Sequence, residues 1–308
     1  MPEVLFDFTA HGKLLLTAEY FVLDGVPALA VPTRLGQRLR VVRSPEPGLR
    51  WRAFDHRGDC WFTAHLPEQD WARTQVPGEE PRARISQLLH AAESLRPGAT
   101  TALSGLAVDT FLEFDRAWGL GSSSTLVAAV ARWLAVDPYA LLELTFGGSG
   151  YDLACAVAEG PILYQRTDSQ PLVTPLDWHP AWLKHTYFVY RGQKQNSRDG
   201  IRAYRQAQVL PAQREAIAAA TLALLSPTLH LRSGAQILAQ HEALVATALG
   251  MEPVQAALFP DFPGQTKSLG AWGGDFIWAL SEAPAEKIHA YFNGRGFPTV
   301  IAYEQMVG

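Results

Sequence analysis

The chain has 308 residues, with 26 Lys and Arg against 30 Asp and Glu, and its formal charge is −4. A chain of this length usually forms about two domains. Its 48% hydrophobic and 18% charged residues exclude a disordered protein. The acidic balance argues against a protein that binds nucleic acid by neutralising phosphates. We therefore expect a folded protein with a small-molecule partner.

Three further features bear on the location of the protein. No apolar run approaches the ~18 residues that span a bilayer, and the longest covers residues 216–225. Glu3 and Asp7 stand where a signal peptide carries positive charge, which predicts an uncleaved N-terminus. Cys60 and Cys155 are the only cysteines, which argues against a disulfide framework or a structural zinc site. We expect a cytoplasmic protein without a membrane partner, either a monomer or a homodimer.

The first half of the chain has the patterns of strands followed by helices. Alternating or short apolar runs bounded by turn signals indicate strands, and apolar residues at spacings of three and four indicate helices. The predicted elements are strands at residues 14–16, 28–31, 105–114 and 162–165, a hairpin over 49–66, a surface loop over 67–81, and helices over 85–95, 122–135 and 138–145.

The second half repeats this mixture. Residues 168–180 are polar and contain prolines, which is typical of a domain boundary, so we expect domains at 1–167 and 168–308. The predicted elements are strands at residues 186–190, 276–280 and 299–303, and helices near 200–209, 212–225, 231–249 and 283–293. Strands and then helices in each half predict an α+β fold rather than an alternating parallel sheet.

The sequence WGLGSSS, residues 118–124, joins a predicted strand to a predicted helix. Glycine lets the backbone approach a ligand, and the helix start presents unpaired N–H groups with the positive end of its dipole. Three serines add hydroxyl donors and a possible Mg²⁺ ligand. The pattern fits polyphosphate binding, although it is neither a Walker A motif nor a dinucleotide fingerprint. A glycine turn followed by serine capping explains it equally well.

Three further segments combine glycines with charged residues. In HGKLLLTAEYFVLDG, residues 11–25, Lys13 precedes an apolar strand and is placed to reach phosphate oxygens, with Glu19 orienting it or contacting nucleotide. In GSGYDLA, residues 148–154, Asp152 has room beside it for a substrate hydroxyl whose proton it could accept. KSLGAWGGDF, residues 267–276, can wrap a ligand. Each segment taken singly also has a plain structural explanation: Lys13 as a surface lysine, Asp152 as a helix cap, and residues 267–276 as a tight turn.

Together, these four segments resemble the four signature regions of the GHMP kinases, which include galactokinase, homoserine kinase, mevalonate kinase and phosphomevalonate kinase. The resemblance covers residues 12–276 in the family's order. It implies the two-domain α+β GHMP kinase fold: an N-terminal ribosomal-protein-S5-like domain, a C-terminal ferredoxin-like domain and an active site between them. It also implies an ATP- and Mg²⁺-dependent kinase. Residues 19–25 and 148–152 are most similar to the mevalonate and phosphomevalonate kinase branches, which they do not separate.

The resemblance also implies roles for single residues. The phosphate loop would consist of Gly119, Leu120, Gly121, Ser122, Ser123 and Ser124, with Glu19, Gly270, Gly273 and Gly274 as further nucleotide contacts. Asp152 would be the catalytic acid at the acceptor, and Lys13 would stabilise charge on the transferred group. Ser123 and Glu143 would bind Mg²⁺, although Glu143 also fits an exposed helical residue. Tyr151, Lys194, Ser197 and Arg198 would bind the acceptor.

The chain departs from the family pattern at several positions. His11 stands where proline is usual, and Ala18 replaces the glycine before Glu19. Trp272 interrupts the fourth segment, and Asp275 adds a negative charge there. These departures leave three alternatives open: a kinase for a sugar or a homoserine-like alcohol, a nucleotide-binding protein with weak or no catalysis, and a phosphorylation-coupled decarboxylase.

Overall fold

A computed structural model describes residues 3–72, 80–193, 197–270, 272 and 275–307. Internal packing divides the chain into two compact units. The first unit contains the residues up to Gly12, Leu35–Arg116 and Leu120–Val157. The second contains Lys13–Arg34, Ala117–Gly119 and the residues from Ala158 onward. The predicted domain boundary at residue 167 stays a prediction.

The described residues form strands and helices in a mixed order, and the predicted α+β class is confirmed. The strands are β1 (Val4–Leu15), β2 (Ala28–Arg43), β3 (Leu49–Phe54), β4 (Cys60–Leu66), β5 (Leu106–Leu112), β6 (Ile162–Gln165), β7 (Leu172–Pro175), β8 (Thr186–Tyr190), β9 (Gln265–Ser268), β10 (Phe276–Leu280) and β11 (Val300–Ala302). The helices are α1 (Gln69–Ala72), α2 (Pro81–Leu95), α3 (Ser122–Leu134), α4 (Pro138–Thr145), α5 (Tyr151–Val157), α6 (Ser197–Gln206), α7 (Pro211–Leu224), α8 (Leu231–Leu249), α9 (Val254–Leu258), α10 (Ala285–Asn293) and α11 (Tyr303–Met306). In the part of the chain described, no helix is long and apolar enough to cross a bilayer.

The first unit is a sheet covered by helices. Its strands pair in the order β4-β3-β5-β2, with β3 parallel to β5 and the other pairs antiparallel. Alternate residues of these strands, such as Leu39, Trp51 and Val108, are buried together with apolar residues of α2 and α3. The period-two pattern of the strands therefore faces the period-3.6 pattern of the helices across one core.

The second unit contains a four-stranded antiparallel sheet in the order β11-β8-β10-β9. One side of this sheet packs on a core that includes Val189, Ile277, Phe259, Ile288 and Phe292. In the same unit the first residues of β2 pair with β6, and β6 pairs with β7. Helices α6, α7 and α8 pack together, and α8 also packs on β9.

Most predicted elements are present, and the differences have physical causes. Strand β9 was not predicted because Thr266, Lys267 and Ser268 are polar, although all three are buried. Lys13 lies within β1 rather than ahead of a strand, because β1 continues through polar residues. The region predicted as a surface loop over residues 67–81 contains α1, and residues 73–79 lie outside the described part.

Candidate functional site

The start of α3 is the part of the first unit that fits an anion. Gly121 is the N-cap residue, with a φ of 92°, and it has no side chain that could cap the helix. The first N–H groups of an α-helix lack partners within the helix and lie at the positive end of its dipole. The Thr125 hydroxyl lies 2.7 Å from Gln37 Oε1 and 3.0 Å from the Ser122 carbonyl oxygen, which fixes this first turn. Ser123 is exposed on it.

Three other helices of the first unit, α2, α4 and α5, pack against α3. Helix α5 follows Gly150, whose φ of 88° requires glycine, and its first two residues are the buried Tyr151 and the half-buried Asp152. Helix α4 carries Glu143 on its exposed side. The packing of α3 on α5 therefore brings the serines of WGLGSSS near the segment GSGYDLA within one unit.

In the second unit, three sequence segments meet at Gly119. Lys13 Nζ donates a hydrogen bond to the Gly119 carbonyl oxygen at 3.0 Å. The carboxylate of Asp275 lies against the Gly119 Cα, so that an added Cβ would come within 2.0 Å of Asp275 Oδ2. Gly119 also has a φ of 67°, so both space and conformation require glycine there. Gly270 lies on the other side of the same carboxylate, its Cβ position 3.8 Å from Oδ2.

Aromatic contacts hold the backbone around Gly119. The Tyr190 hydroxyl donates to the Ala117 carbonyl oxygen at 3.1 Å. The Trp118 ring packs edge-on against Phe276, with ring centroids 5.7 Å apart. Residues of β8 and β10 therefore hold Ala117 and Trp118, which lead into Gly119.

Glu19 lies beside this region in a buried ion pair. Its carboxylate accepts a short hydrogen bond from Lys267 Nζ, and both side chains are 0% exposed. Burial raises the pKa of Glu19 to about 7, while the positive charge of Lys267 acts in the opposite direction. Lys267 also donates to the Ser268 carbonyl oxygen at 2.9 Å. The predicted contact between Glu19 and nucleotide stays a prediction.

Two residues of α8 complete this buried charge cluster, which we define as Glu19, Lys267, His241 and Glu242. The Ala18 N–H donates to His241 Nε2 at 2.8 Å, so the neutral imidazole carries its proton on Nδ1. Burial, and then the charge of Lys267, lower the pKa of His241 well below its usual value. Glu242 accepts hydrogen bonds from the Ser268 and Val254 N–H groups. The cluster thus joins Glu19, from the segment at residues 11–25, to Lys267, from the segment at residues 267–276.

Backbone strain accompanies this cluster. Ala18 and Tyr20 have φ values of 59° and 65°, and Trp272 has 42°. Non-glycine residues rarely adopt this region, and they persist there only where the surroundings impose it. The hydrogen bond from Ala18 to His241 supplies such a restraint. Glycine would adopt the positive φ of Ala18 without this steric cost.

The remaining predicted residues divide into two groups. Ser197 and Arg198 form the first turn of α6, in the second unit. Lys194, Gly273 and Gly274 lie outside the described residues. Sequence patterns predicted no role for His241, Glu242 or Lys267, although a lysine that precedes a glycine-rich loop is a signal that could have been followed.

Comparison with solved structures identifies the fold. The chain matches the mevalonate kinase of Methanococcus jannaschii with a TM-score of 0.72 and 12% identity, over 96% of each chain. It matches a phosphomevalonate kinase of Streptococcus pneumoniae, solved with phosphomevalonate and AMPPNP, with a TM-score of 0.66 and 19% identity over 96% of this chain and 99% of that one. The chain has the fold of the GHMP kinases.

The GHMP kinase fold is shared with sugar kinases as well. The galactokinase of Lactococcus lactis, solved with galactose, matches with a TM-score of 0.66 and 13% identity over 96% of this chain and 93% of that one. No protein-family model and no curated protein sequence matches the chain. At these identities the GHMP kinase fold is established, and the acceptor is not fixed by it.

Proposed function

We propose that the protein is a kinase that transfers the γ-phosphoryl group of ATP to a small alcohol or phosphate acceptor. The observation that carries this proposal is the meeting of Lys13, Gly119 and Asp275 in a chain with the GHMP kinase fold. These residues come from three sequence segments that are far apart along the chain. Their convergence supports a built site more strongly than any one segment does.

Phosphoryl transfer depends mainly on positioning and on stabilisation of charge. The N–H groups at the start of α3 would hold ATP phosphates, and Lys13 would stabilise charge on the transferred group. Asp152 would accept the proton of an acceptor hydroxyl or position it for attack. Because the net charge is −4, the protein as a whole does not attract phosphate groups. Phosphate binding would therefore depend on local hydrogen-bond donors.

Mg²⁺ would shield the phosphate charges when it is bound. Proteins usually hold Mg²⁺ through one or two carboxylates together with substrate phosphates, rather than through a cage of protein ligands. The described residues contain no group of three or more His, Cys, Asp or Glu that could form such a cage. Exposed Ser123 and Glu143, on neighbouring helices of the first unit, fit the sparser arrangement and would supply the protein ligands.

The acceptor that we favour is mevalonate or phosphomevalonate. Residues 19–25 and 148–152 resemble those branches, and kinases with these names are among the structural neighbours. A sugar acceptor is the second candidate, favoured by the match to a galactokinase. The carboxylate of Asp275 beside the phosphate loop favours a third candidate, a nucleotide-binding protein with little catalysis.

An ADP-release assay with mevalonate, phosphomevalonate, homoserine and galactose separates these candidates. We expect ATP consumption only with one of the first two, and Asp152→Asn should lower kcat by about 10²–10⁴. The matched control is Asp168→Asn, which removes an exposed carboxylate and should leave kcat unchanged. Turnover of galactose alone would move the assignment to a sugar kinase. ATP binding without turnover of any acceptor would support the third candidate. Compartment and oligomeric state stay predictions.

A further inference from the structure

Tyr20 is held in an unusual position that the proposed chemistry does not use. It has a φ of 65°, between the buried Glu19 and the 3₁₀ turn Phe21–Asp24. Its side chain is buried, and burial, together with the charges of Glu19 and Asp275, raises its pKa. Glu19, the residue before Tyr20, is held by its ion pair with Lys267. Ala18 is held by its hydrogen bond to His241. The direction of the Tyr20 side chain is therefore set by the fold.

Tyr20 packs on helix α6. Its ring stacks on Tyr204, with centroids 5.9 Å apart and planes inclined by 23°. Phe21 packs on the same ring at 5.3 Å. The Tyr204 hydroxyl donates to Asp24 Oδ2 at 2.9 Å, and Arg214 of α7 donates to the same oxygen at 3.1 Å. Residues 20–24 thus hold α6 through aromatic contacts and a hydrogen bond.

The closest approach is at Gly200, in the first turns of α6. A Cβ at Gly200 would lie 2.0 Å from Tyr20 Oη, 2.7 Å from Cζ and 2.8 Å from Cε1. Real Cβ atoms do not make contacts this short, and a buried, stacked ring cannot move aside cheaply. Glycine disfavours a helix, so its place in α6 is explained by this contact rather than by local preference.

We propose that Tyr20 and Gly200 form a joint that fixes the start of α6 and thereby positions the acceptor-binding residues of the kinase. The joint rests on the proposed function, since Ser197 and Arg198, the predicted acceptor contacts, form the turn of α6 just before Gly200. Tyr20 is a positioning residue in this scheme. An anionic acceptor group bound at that turn would depend on the place of the helix, while ATP bound at the phosphate loop would not.

The test compares Gly200→Ala with Gly234→Ala. Both glycines are the fourth residue of their helix, but a Cβ at Gly234 would meet its nearest neighbours at 3.6 Å, an ordinary contact. We expect Gly200→Ala to raise the KM of the acceptor on the order of 10–100-fold and to leave the KM of ATP unchanged. Amide hydrogen exchange should be faster in α6 than in the unaltered protein, and Gly234→Ala should show neither effect.

A double-mutant cycle with Tyr20→Ala tests the contact itself. Once the ring is absent, adding Gly200→Ala should cause no further rise in exchange or in KM, because alanine by itself favours the helix. Unchanged exchange in α6 of Gly200→Ala would overturn the joint, whatever the activity. Faster exchange with an unchanged acceptor KM would overturn the positioning role. If the unaltered protein phosphorylates no tested acceptor, the proposed function fails, and the acceptor role fails with it. Faster exchange in Gly200→Ala would then still support the packing contact between Tyr20 and Gly200.

Discussion

Lys13 and Lys267 are two lysines of the same unit in very different surroundings. Lys267 is completely buried and forms an ion pair with Glu19, which is equally buried. Lys13 is partly exposed and donates to the neutral carbonyl oxygen of Gly119. A charge removed from water is tolerated only when it is paired, and such a pair then depends on both partners. The comparison separates a lysine that serves folding from one that we propose serves chemistry.

The largest expected effect is on stability at Lys267. Lys267→Met leaves the carboxylate of Glu19 buried without its partner, and loss of one member of a buried pair costs about 3–5 kcal/mol. We expect the free energy of unfolding, measured by urea titration, to fall by this amount. Arg43→Ala, which breaks an exposed ion pair with Glu3, is the control and should cost less than about 1 kcal/mol.

The double variant Glu19→Gln with Lys267→Met sharpens this result. Removal of both charges leaves no unpaired ion, so we expect it to recover part of the stability lost by Lys267→Met alone. A double variant that is less stable than Lys267→Met would show that the cost lies in packing rather than in charge.

The second effect, on activity, belongs to Lys13. Lys13→Met removes a charge beside Gly119, and we expect kcat to fall by about 10²–10³ while the free energy of unfolding changes by less than about 1 kcal/mol. Steady-state kinetics and urea titration on the same preparation measure both. Lys184→Met, at an exposed lysine, is the control. A large loss of stability in Lys13→Met would make the two lysines alike and remove the distinction.

These differences also show what a sequence can reveal. The glycine and serine pattern of residues 118–124 predicted the turn and helix α3, because local conformation is set by neighbouring residues. The predicted serine cap was wrong, since Gly121 is the N-cap residue and no side chain caps the helix. Strand β5 and helix α4 followed from periodicity in the same way. The pairing of Glu19 with Lys267 joins residues 248 positions apart, and no local pattern encodes it.

The joint between Tyr20 and Gly200 was hidden for a related reason. A glycine in a helical pattern normally argues against a helix. Here, Gly200 leaves the space that the Tyr20 ring, 180 residues earlier in the chain, occupies. Likewise, Ala18 resembles an ordinary substitution for glycine until its positive φ and its bond to His241 are seen. Long-range packing, rather than local preference, decides these positions.

The smallest effect concerns His241, which is neutral beside the two charges of the ion pair. Its pKa in the folded protein is well below the usual 6.5 of an unfolded chain, so below about pH 6.5 the unfolded state binds more protons. The stability that this provides is present above pH 6.5 and is lost as the pH falls. We expect the unfolding free energy to fall as the pH drops below about 6.5, by up to about 1.4 kcal/mol per pH unit from this group.

His241→Gln isolates that contribution, because a glutamine oxygen can still accept the Ala18 N–H while carrying no titrating ring. Glu19, whose raised pKa makes its own contribution fall as the pH rises between about 4.5 and 7, is present in both proteins. The difference between their stability curves therefore reports the imidazole, and the variant should lose less stability on acidification than the unaltered protein does. Parallel curves for His241→Gln and the unaltered protein would mean that the imidazole is protonated inside the fold. The cluster would then contain two positive charges, on Lys267 and His241, beside the carboxylates of Glu19 and Glu242. His241 would no longer be a neutral group beside an ion pair.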